Sequence, residues 1–338
     1  MGPFSIGQPV SRTEDPILLR GQGRYTADVS LPGQAWGVVV RSPEAHGHLR
    51  RLDTAAARAL PGVLGIFVQA DLEAAGVQPM PPQQTAKNAD GTPMAAPPQP
   101  VLATGKVRYV GEPLALVVAE TLAQARDAAE AVMVEIDPLP AVTLASAAAA
   151  ACAPVIHDAA PDNTVLHFHH GDSEKVAAAF AAAAHVTTLR FRNNRVHPGQ
   201  LEPRAALGSH DAQSGRYTLH VGCQGVFGQR NGVRAILNVK PEQVRVLTGN
   251  VGGSFGMKSG CYPEYIAVLV AAKALGRPVK WVNDRSESFL SDSHGRDHEA
   301  TISLALDAEG HFLALRGEIF GNLGAWMSNA ALLPAGVN

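Results

Sequence analysis

The residues Gly249-Asn250-Val251-Gly252-Gly253-Ser254-Phe255-Gly256-Met257-Lys258-Ser259 concentrate the chemistry that this sequence can do. Glycine tolerates positive φ and has no Cβ, so such a run lets backbone N–H groups converge on an anionic or planar ligand. Two familiar glycine motifs fail against it. A P-loop needs Gly directly before Lys-Ser, and Met257 stands there; no register supplies the G-x-G-x-x-G spacing of a dinucleotide loop. A glycine turn that only feeds a buried helix is the other reading of these residues.

Further polar groups lie on either side. Gln224 sits in Gly222-Cys223-Gln224-Gly225, and Glu202 and Arg204 are expected to pair across the turn that Pro203 initiates. Lys258 has two readings, neutralising a phosphate or solvating the loop. His294, Arg296, Asp297 and His298 are metal-capable types, but their spacing fits no zinc motif, and a hydrogen-bonded loop is the better account. Cys152, Cys223 and Cys261 form no C-x-x-C pair, which argues against an iron–sulfur or zinc site. All three read as buried, reduced thiols, with Cys223 beside Gln224.

These groups must be positioned by an alternation of strands and helices. Val244 to Leu247 reads as the strand entering the glycine run. Pro263 opens the helix that leaves it, with Tyr265, Ile266, Leu269, Val270 and Leu275 inward, and Gly276 and Pro278 end that helix. A strand at Val279 to Val282 and a hairpin from Thr301 to Phe320, turned by Asp307-Ala308-Glu309-Gly310, follow. Further forward are a helix from Ser173 to Ala183 and strands at Val186 to Arg192 and Tyr217 to Val221.

The front of the chain reads as strands at Ala35 to Val40, Val63 to Val68 and Leu114 to Ala119, the last fully buried. Thr121 caps a helix with Ala125, Ala128, Ala129 and Val132 on one face, and a strand from Val132 stops at Pro138. Pro79 to Pro100 holds seven prolines and reads as a long surface loop. The fold class is α+β, divided into 17–138, an alanine-rich linker over 139–165, and 166–338.

At 338 residues the chain can bury a substantial core, and two domains are the starting expectation. A net charge of -2 offers no field for nucleic acid or an anionic membrane. There is no run of about 20 apolar residues for a membrane span. The N-terminus lacks a basic segment followed by a long apolar one, so a cytoplasmic protein is the simplest inference.

The glycine run, Gln224 and Leu201-Glu202-Pro203-Arg204-Ala205-Ala206, in that order and spacing, resemble the molybdenum hydroxylases, the xanthine dehydrogenase, aldehyde oxidase and carbon monoxide dehydrogenase family. That family carries a glutamine, a G-G-G-F-G-x-K loop and an M-E-P-R-type segment. The resemblance extends to Asp15-Pro16, Gly21-Gln22-Gly23-Arg24-Tyr25, Val107-Arg108-Tyr109-Val110-Gly111-Glu112-Pro113 and Gly276-Arg277-Pro278-Val279-Lys280-Trp281, and so covers nearly the whole chain.

It implies an a/b hammerhead domain followed by the first part of a mixed α/β molybdopterin-binding domain. The implied cofactor is molybdopterin with molybdenum, in its cytosine dinucleotide form, held by Gln224, Gly225, Gly252, Gly253, Ser254, Phe255 and Gly256 with no protein ligand to the metal. Gln224 would donate a hydrogen bond to an oxo ligand on molybdenum. Ser254 stands where the family has glycine, and costs about 1 kcal/mol if that position needs φ > 0. Ser259 is a substrate-pocket candidate, standing where purine-oxidising members have glutamate; its substrate would then be an aldehyde, another heteroaromatic or carbon monoxide.

The resemblance places the family's catalytic base beyond residue 338. It implies an N-terminal portion of a large subunit, inactive in isolation, with a C-terminal half, a 2Fe-2S subunit and an FAD subunit as partners. The alternative is a truncated, non-catalytic remnant or binding module of the same fold.

Overall fold

A computed structural model describes residues 7, 9–82 and 84–327. Residues 328–338, at the end of the second expected segment, lie outside the described residues. The first segment supplies α1 (Asp15–Leu18), β1 (Ala35–Arg41), β2 (Gly47–Asp53), α2 (Ala55–Arg58), β3 (Val63–Val68), α3 (Gln69–Ala74), β4 (Lys106–Val107), β5 (Pro113–Ala119), α4 (Leu122–Glu130) and β6 (Met133–Pro138). The expected linker holds α5 (Ala145–Ala148), and the second segment supplies α6 (Ser173–Ala182), β7 (His185–Asn193), β8 (Ala205–Asp211), β9 (Arg216–Val221), α7 (Val226–Ile236), β10 (Val244–Leu247), α8 (Pro263–Leu275), β11 (Val279–Val282), α9 (Arg285–Ser291), β12 (His298–Leu306) and β13 (Phe312–Gly321).

Seven strands form one mixed sheet in the order β10-β9-β8-β11-β1-β5-β3. It runs straight through the expected boundary, because β1 pairs in parallel with β11, Ala35 opposite Val279. The main core is likewise shared, joining Val39, Leu72 and Leu116 to Leu219, Val268 and Trp281. Residues 17–138 and 166–327 are therefore successive sequence segments around a common core.

β5 is buried along its whole length, as a strand apolar on both faces must be. The Thr121 hydroxyl accepts from the Gln124 N–H at 3.2 Å and starts α4. The described residues of the Pro79–Pro100 stretch form no helix or long strand, and the stretch is tied down at Ala89 and Ala95 by carbonyls of His167 and Val165. Gly111 is at φ +96°, and a Cβ there would lie 2.6 Å from Leu290, so the Val110-Gly111-Glu112-Pro113 stretch needs its glycine for packing.

α8 is buried from Pro263 to Ala272 and is the central helix of the core. It starts with proline in its first turn and ends at Gly276 in the left-handed conformation, φ +62°.

Several elements, α2, α3, β4 and α9 among them, go beyond the sequence reading, and β2, β8 and α7 show why. β2 carries Arg50, Arg51 and Asp53 and has too little apolar alternation to declare itself, yet it pairs with β6 and β4. β8 follows Arg204 directly, and its Gly-Ser-His-Asp end carries no apolar alternation to mark it as a strand. α7 contains Gly228 and Gly232, which lower helix propensity by about 1 kcal/mol each relative to alanine; Val233 and Ile236 pack it into the core regardless.

A second, three-stranded sheet has the order β13-β12-β7. Its register sets Ala300 between Phe191 and Ile319, Ile302 opposite Leu189, and Leu304 opposite Leu315, so these apolar side chains share one face. Leu189, Phe191, Leu315 and Ile319 on that face are exposed. α6 packs on the opposite face, where Arg316 lies 4.3 Å from the Phe180 ring centroid.

Because Leu269 is fully buried in α8, Leu269→Ala is expected to cost about 2–5 kcal/mol. Urea unfolding of the two chains checks it, and a midpoint unchanged within error would contradict the packing described.

Candidate functional site

The glycine run leaves β10 and crosses in front of α7 before entering α8. Gln224 directly precedes Gly225, the residue that opens α7, thirty residues upstream of Ser254, and the fold brings the two together: the Ser254 hydroxyl donates to Gln224 Oε1 at 2.6 Å. The Gln224 backbone N–H donates to the Lys258 carbonyl at 3.2 Å. Gln224 is exposed, and its Nε2 has no protein partner among the described residues.

The loop is held from behind by the segment before β8. Glu202 N–H donates to the Gly252 carbonyl at 3.0 Å, and the Gly252 N–H donates back to the Glu202 carboxylate at 2.8 Å. A Cβ on Gly252 would meet Glu202 Cβ at 2.6 Å, so this glycine admits the strap rather than a ligand. Lys258 is buried and gives its ammonium to the Glu202 carboxylate and the Glu202 carbonyl, each at 2.8 Å. It neither solvates the loop nor stands free for a phosphate, because a buried ammonium must be paired.

Arg204 does not pair with Glu202. Its guanidinium, 1% exposed, binds Glu264 at 2.8 Å and Asp292 at 2.6 Å, and lies 3.8 Å from the Tyr262 ring centroid. Arg41 of β1 binds the same Glu264 at 2.9 Å and adds Glu287. Burial opposes ionisation of Glu264, but attraction to Arg204 and Arg41, with the Arg204 hydrogen bonds, outweighs it and holds the carboxyl at about 2. The sequence alone passed over Glu264; a single acid in the first turn of an otherwise apolar helix was the available signal.

The left-handed positions in the loop are Gly253 (φ +96°), Phe255 (φ +52°) and Gly256 (φ +94°). Ser254 is not among them, so the strain expected at the serine falls one residue later. The N–H groups of Gly253, Ser254, Phe255 and Gly256 have no protein acceptor among the described residues, unlike that of Gly252. Consecutive unpaired N–H groups in a turn form an anion-binding concavity. Around it, a Cβ added at Gly225, Gly228 or Gly256 would meet nothing within 4 Å, and the Phe255 ring is 76% exposed.

Ser259 donates its hydroxyl to the Gly256 carbonyl at 2.6 Å. It also lines a cleft of about 250 Å³ with Met80, Pro81, Gly228, Gly232, Ile236 and Cys261. Of the cysteines, Cys223 packs in the main core and Cys261 is half-buried, while Cys152 is exposed, against expectation. The His294–His298 stretch is a hydrogen-bonded loop in which Asp297 accepts from Arg192, Arg195 and Asn322. Among the described residues, three metal-capable side chains meet only at Asp307, Glu309 and His311 in the β12–β13 turn.

A model of the molybdopterin cofactor-binding domain matches residues 156–337, more than half of the chain. This chain belongs to the molybdenum hydroxylase family. A second model, the a/b hammerhead domain of aldehyde oxidase and xanthine dehydrogenase, matches residues 20–140. The carbon monoxide dehydrogenase large chain of Afipia carboxidovorans is 34% identical over 333 residues, 95% of this chain and 40% of that protein. The nicotine 6-hydroxylase large subunit of Paenarthrobacter nicotinovorans is also 34% identical, over 98% of this chain and 41% of its own length. The chain thus spans about 40% of the length of these relatives. Among solved structures, quinoline 2-oxidoreductase from Pseudomonas putida 86 superposes with a TM-score of 0.84 at 34% identity, over 94% of this chain and 40% of that one. The family assignment and the α+β architecture inferred from the sequence motifs both hold.

The Glu264 pairing predicts acid sensitivity with a definite sign. Its folded value lies below the ordinary 4.5, so its stabilising contribution is complete above that value and is lost as pH falls from about 4.5 toward 2. Urea midpoints measured across this range should drop more steeply for the native chain than for Glu264→Gln, which should be destabilised already at neutral pH. Parallel curves would remove Glu264 as the cause.

Proposed function

We propose that this chain is the N-terminal, molybdopterin-binding portion of the large subunit of a molybdenum-dependent oxidoreductase. The enzyme would hydroxylate an aldehyde or heteroaromatic substrate, or oxidise carbon monoxide. The observation that carries the reading is the Gln224 carboxamide, held by Ser254 at the edge of four unpaired backbone N–H groups with its own NH₂ unpartnered.

The residues present fit such a cofactor. Gly225, Gly228 and Gly256 leave open space beside the loop, Phe255 offers an aromatic wall, and the Gly253–Gly256 N–H groups supply donors for a polar heterocycle or its phosphate. Molybdopterin would supply the redox-active molybdenum that takes two electrons from the substrate. Gln224 would orient that centre by a neutral hydrogen bond from Nε2, adding no charge. Gly252 drops out of the cofactor set, since its N–H serves Glu202.

Ser259 belongs with the substrate side. Its short side chain in the 250 Å³ cleft provides no carboxylate to hold a purine, which favours the other substrate classes. The relatives include a carbon monoxide dehydrogenase, a nicotine hydroxylase and a subunit of a 6-hydroxypseudooxynicotine dehydrogenase complex. Partners carrying a 2Fe-2S cluster and FAD, and the cytosine dinucleotide form of the pterin, belong to the same reading. So does a cytoplasmic setting; no helix of the described residues is long and apolar enough to cross a membrane. The exposed face bearing Leu189, Phe191, Leu315 and Ile319 is the surface that a C-terminal half would cover.

An assembly containing this chain, the C-terminal half and the two redox subunits should hold molybdenum and pterin, and absence of both from the purified assembly would refute the reading. In it, Gln224→Ala should retain the metal while turnover falls on the order of tenfold or more. The 338-residue chain alone should show negligible turnover; substantial activity would overturn the assignment of the base to a separate segment.

A further inference from the structure

We propose that Ser254 is the positioning residue that fixes which way the Gln224 carboxamide faces, turning Nε2 toward the open side of the loop. The inference rests on the proposed role of Gln224 and adds a determinant from this chain's departure from the glycine-rich pattern. Ser254 is 8% exposed. Its Oγ has two neighbours, the Lys258 backbone N–H at 3.0 Å and Gln224 Oε1 at 2.6 Å. An N–H can only donate, so the serine oxygen accepts from Lys258; this leaves its single proton for Gln224, which it meets at Oε1.

A carboxamide has two faces of nearly equal shape, one accepting and one donating. Only the accepting face can meet a donating hydroxyl. The oxygen of Gln224 is therefore turned inward and its NH₂ outward, where the loop offers no protein acceptor. The donor chain behind this choice is rigid. Lys258 is buried and bound to Glu202, its carbonyl takes the Gln224 backbone N–H, and the Ser254 carbonyl accepts from Met257 at 3.1 Å.

The terminal torsion of glutamine is broad and roughly two-fold, so without the hydroxyl nothing in this frame selects one orientation. Glycine or alanine at 254 would leave the amide to sample both. A donor presented in the correct orientation only part of the time weakens turnover more than binding. Ser254 has no left-handed φ to hinder a branched side chain, so threonine can keep the hydroxyl in place.

The first measurement needs no cofactor. In the full chain labelled with ¹⁵N-glutamine, the Gln224 side-chain NH₂ signal is identified by its loss in Q224E. Its ¹H–¹⁵N heteronuclear NOE should be that of an ordered group in the native chain and in S254T, and should collapse to that of a mobile side chain in S254A. S254G serves as the second variant should S254A misfold. An NOE unchanged in the hydroxyl-free variants overturns the proposal whatever the metal content. The second measurement uses the molybdenum-loaded assembly. S254A should keep its pterin and hold KM within about twofold, while kcat falls on the order of three- to tenfold and S254T restores it. A lost NOE with unchanged kcat would overturn the catalytic consequence. An assembly devoid of pterin, with the NOE pattern as expected, would instead overturn the functional reading and leave the Ser254–Gln224 contact standing.

Discussion

Arg204 carries its charge with 1% exposure, and an ion so buried costs several kcal/mol unless its partners are well placed. Here they are four residues from two places in the chain: Tyr262 and Glu264 at the start of α8, and Ser291 and Asp292 at the end of α9. Arg41 on β1 balances the second carboxylate oxygen of the network. The central helix, the seven-stranded sheet and the α9 turn must therefore assemble together or leave a buried charge unpaired.

From that point the constraint passes outward along a short strap. Gln200 is held by Asp292 at 2.8 Å, and Arg285 grips the Gln200 and Leu201 carbonyls. Glu202, two residues before Arg204, then faces the opposite way and takes Gly252 and Lys258. One five-residue stretch thus binds the core with its arginine and the glycine loop with its glutamate. The two charges find separate partners and do not meet each other. Loops carry function where a rigid scaffold positions them, and the strap is the connection between the two.

Elements whose apolar pattern matches their burial were legible from the residues alone. β5, α4, β10, α8 and β11 all declare themselves by continuous apolar runs, a capping threonine or a Gly-Pro stop. β2 and α7 did not, for opposite reasons: β2 has a charged outer face, and α7 carries glycines that propensity disfavours but packing overrides. The site divided in the same way. Gln224 and the loop could be grouped through family spacing, and the fold does bring Gln224 against Ser254. Charge partners could not be read, because pairing depends on which elements become neighbours. Neighbourhood in sequence pairs Glu202 with Arg204 and leaves Lys258 to a phosphate or to solvent, whereas α8 and the end of α9 bring Glu264 and Asp292 to Arg204, and Lys258 is buried against Glu202.

The loop's own strain bears on why it has this shape. Phe255 adopts a left-handed φ of +52°, which costs an L-residue roughly 1–2 kcal/mol, and leaves its ring 76% exposed. A bulky residue in that region is a genuine outlier, and neither cost is recovered by packing within the described residues. The neighbouring serine escapes the strain and uses its side chain inward, on Gln224 and Lys258. Between them the two residues split the loop's work: Ser254 ties the frame together, and Phe255 holds an apolar face outward beside unpaired N–H groups. A planar heterocycle seated there would cover the ring and satisfy the donors at once, so the conformation that is costly in the free chain is the one a ligand of this kind would stabilise.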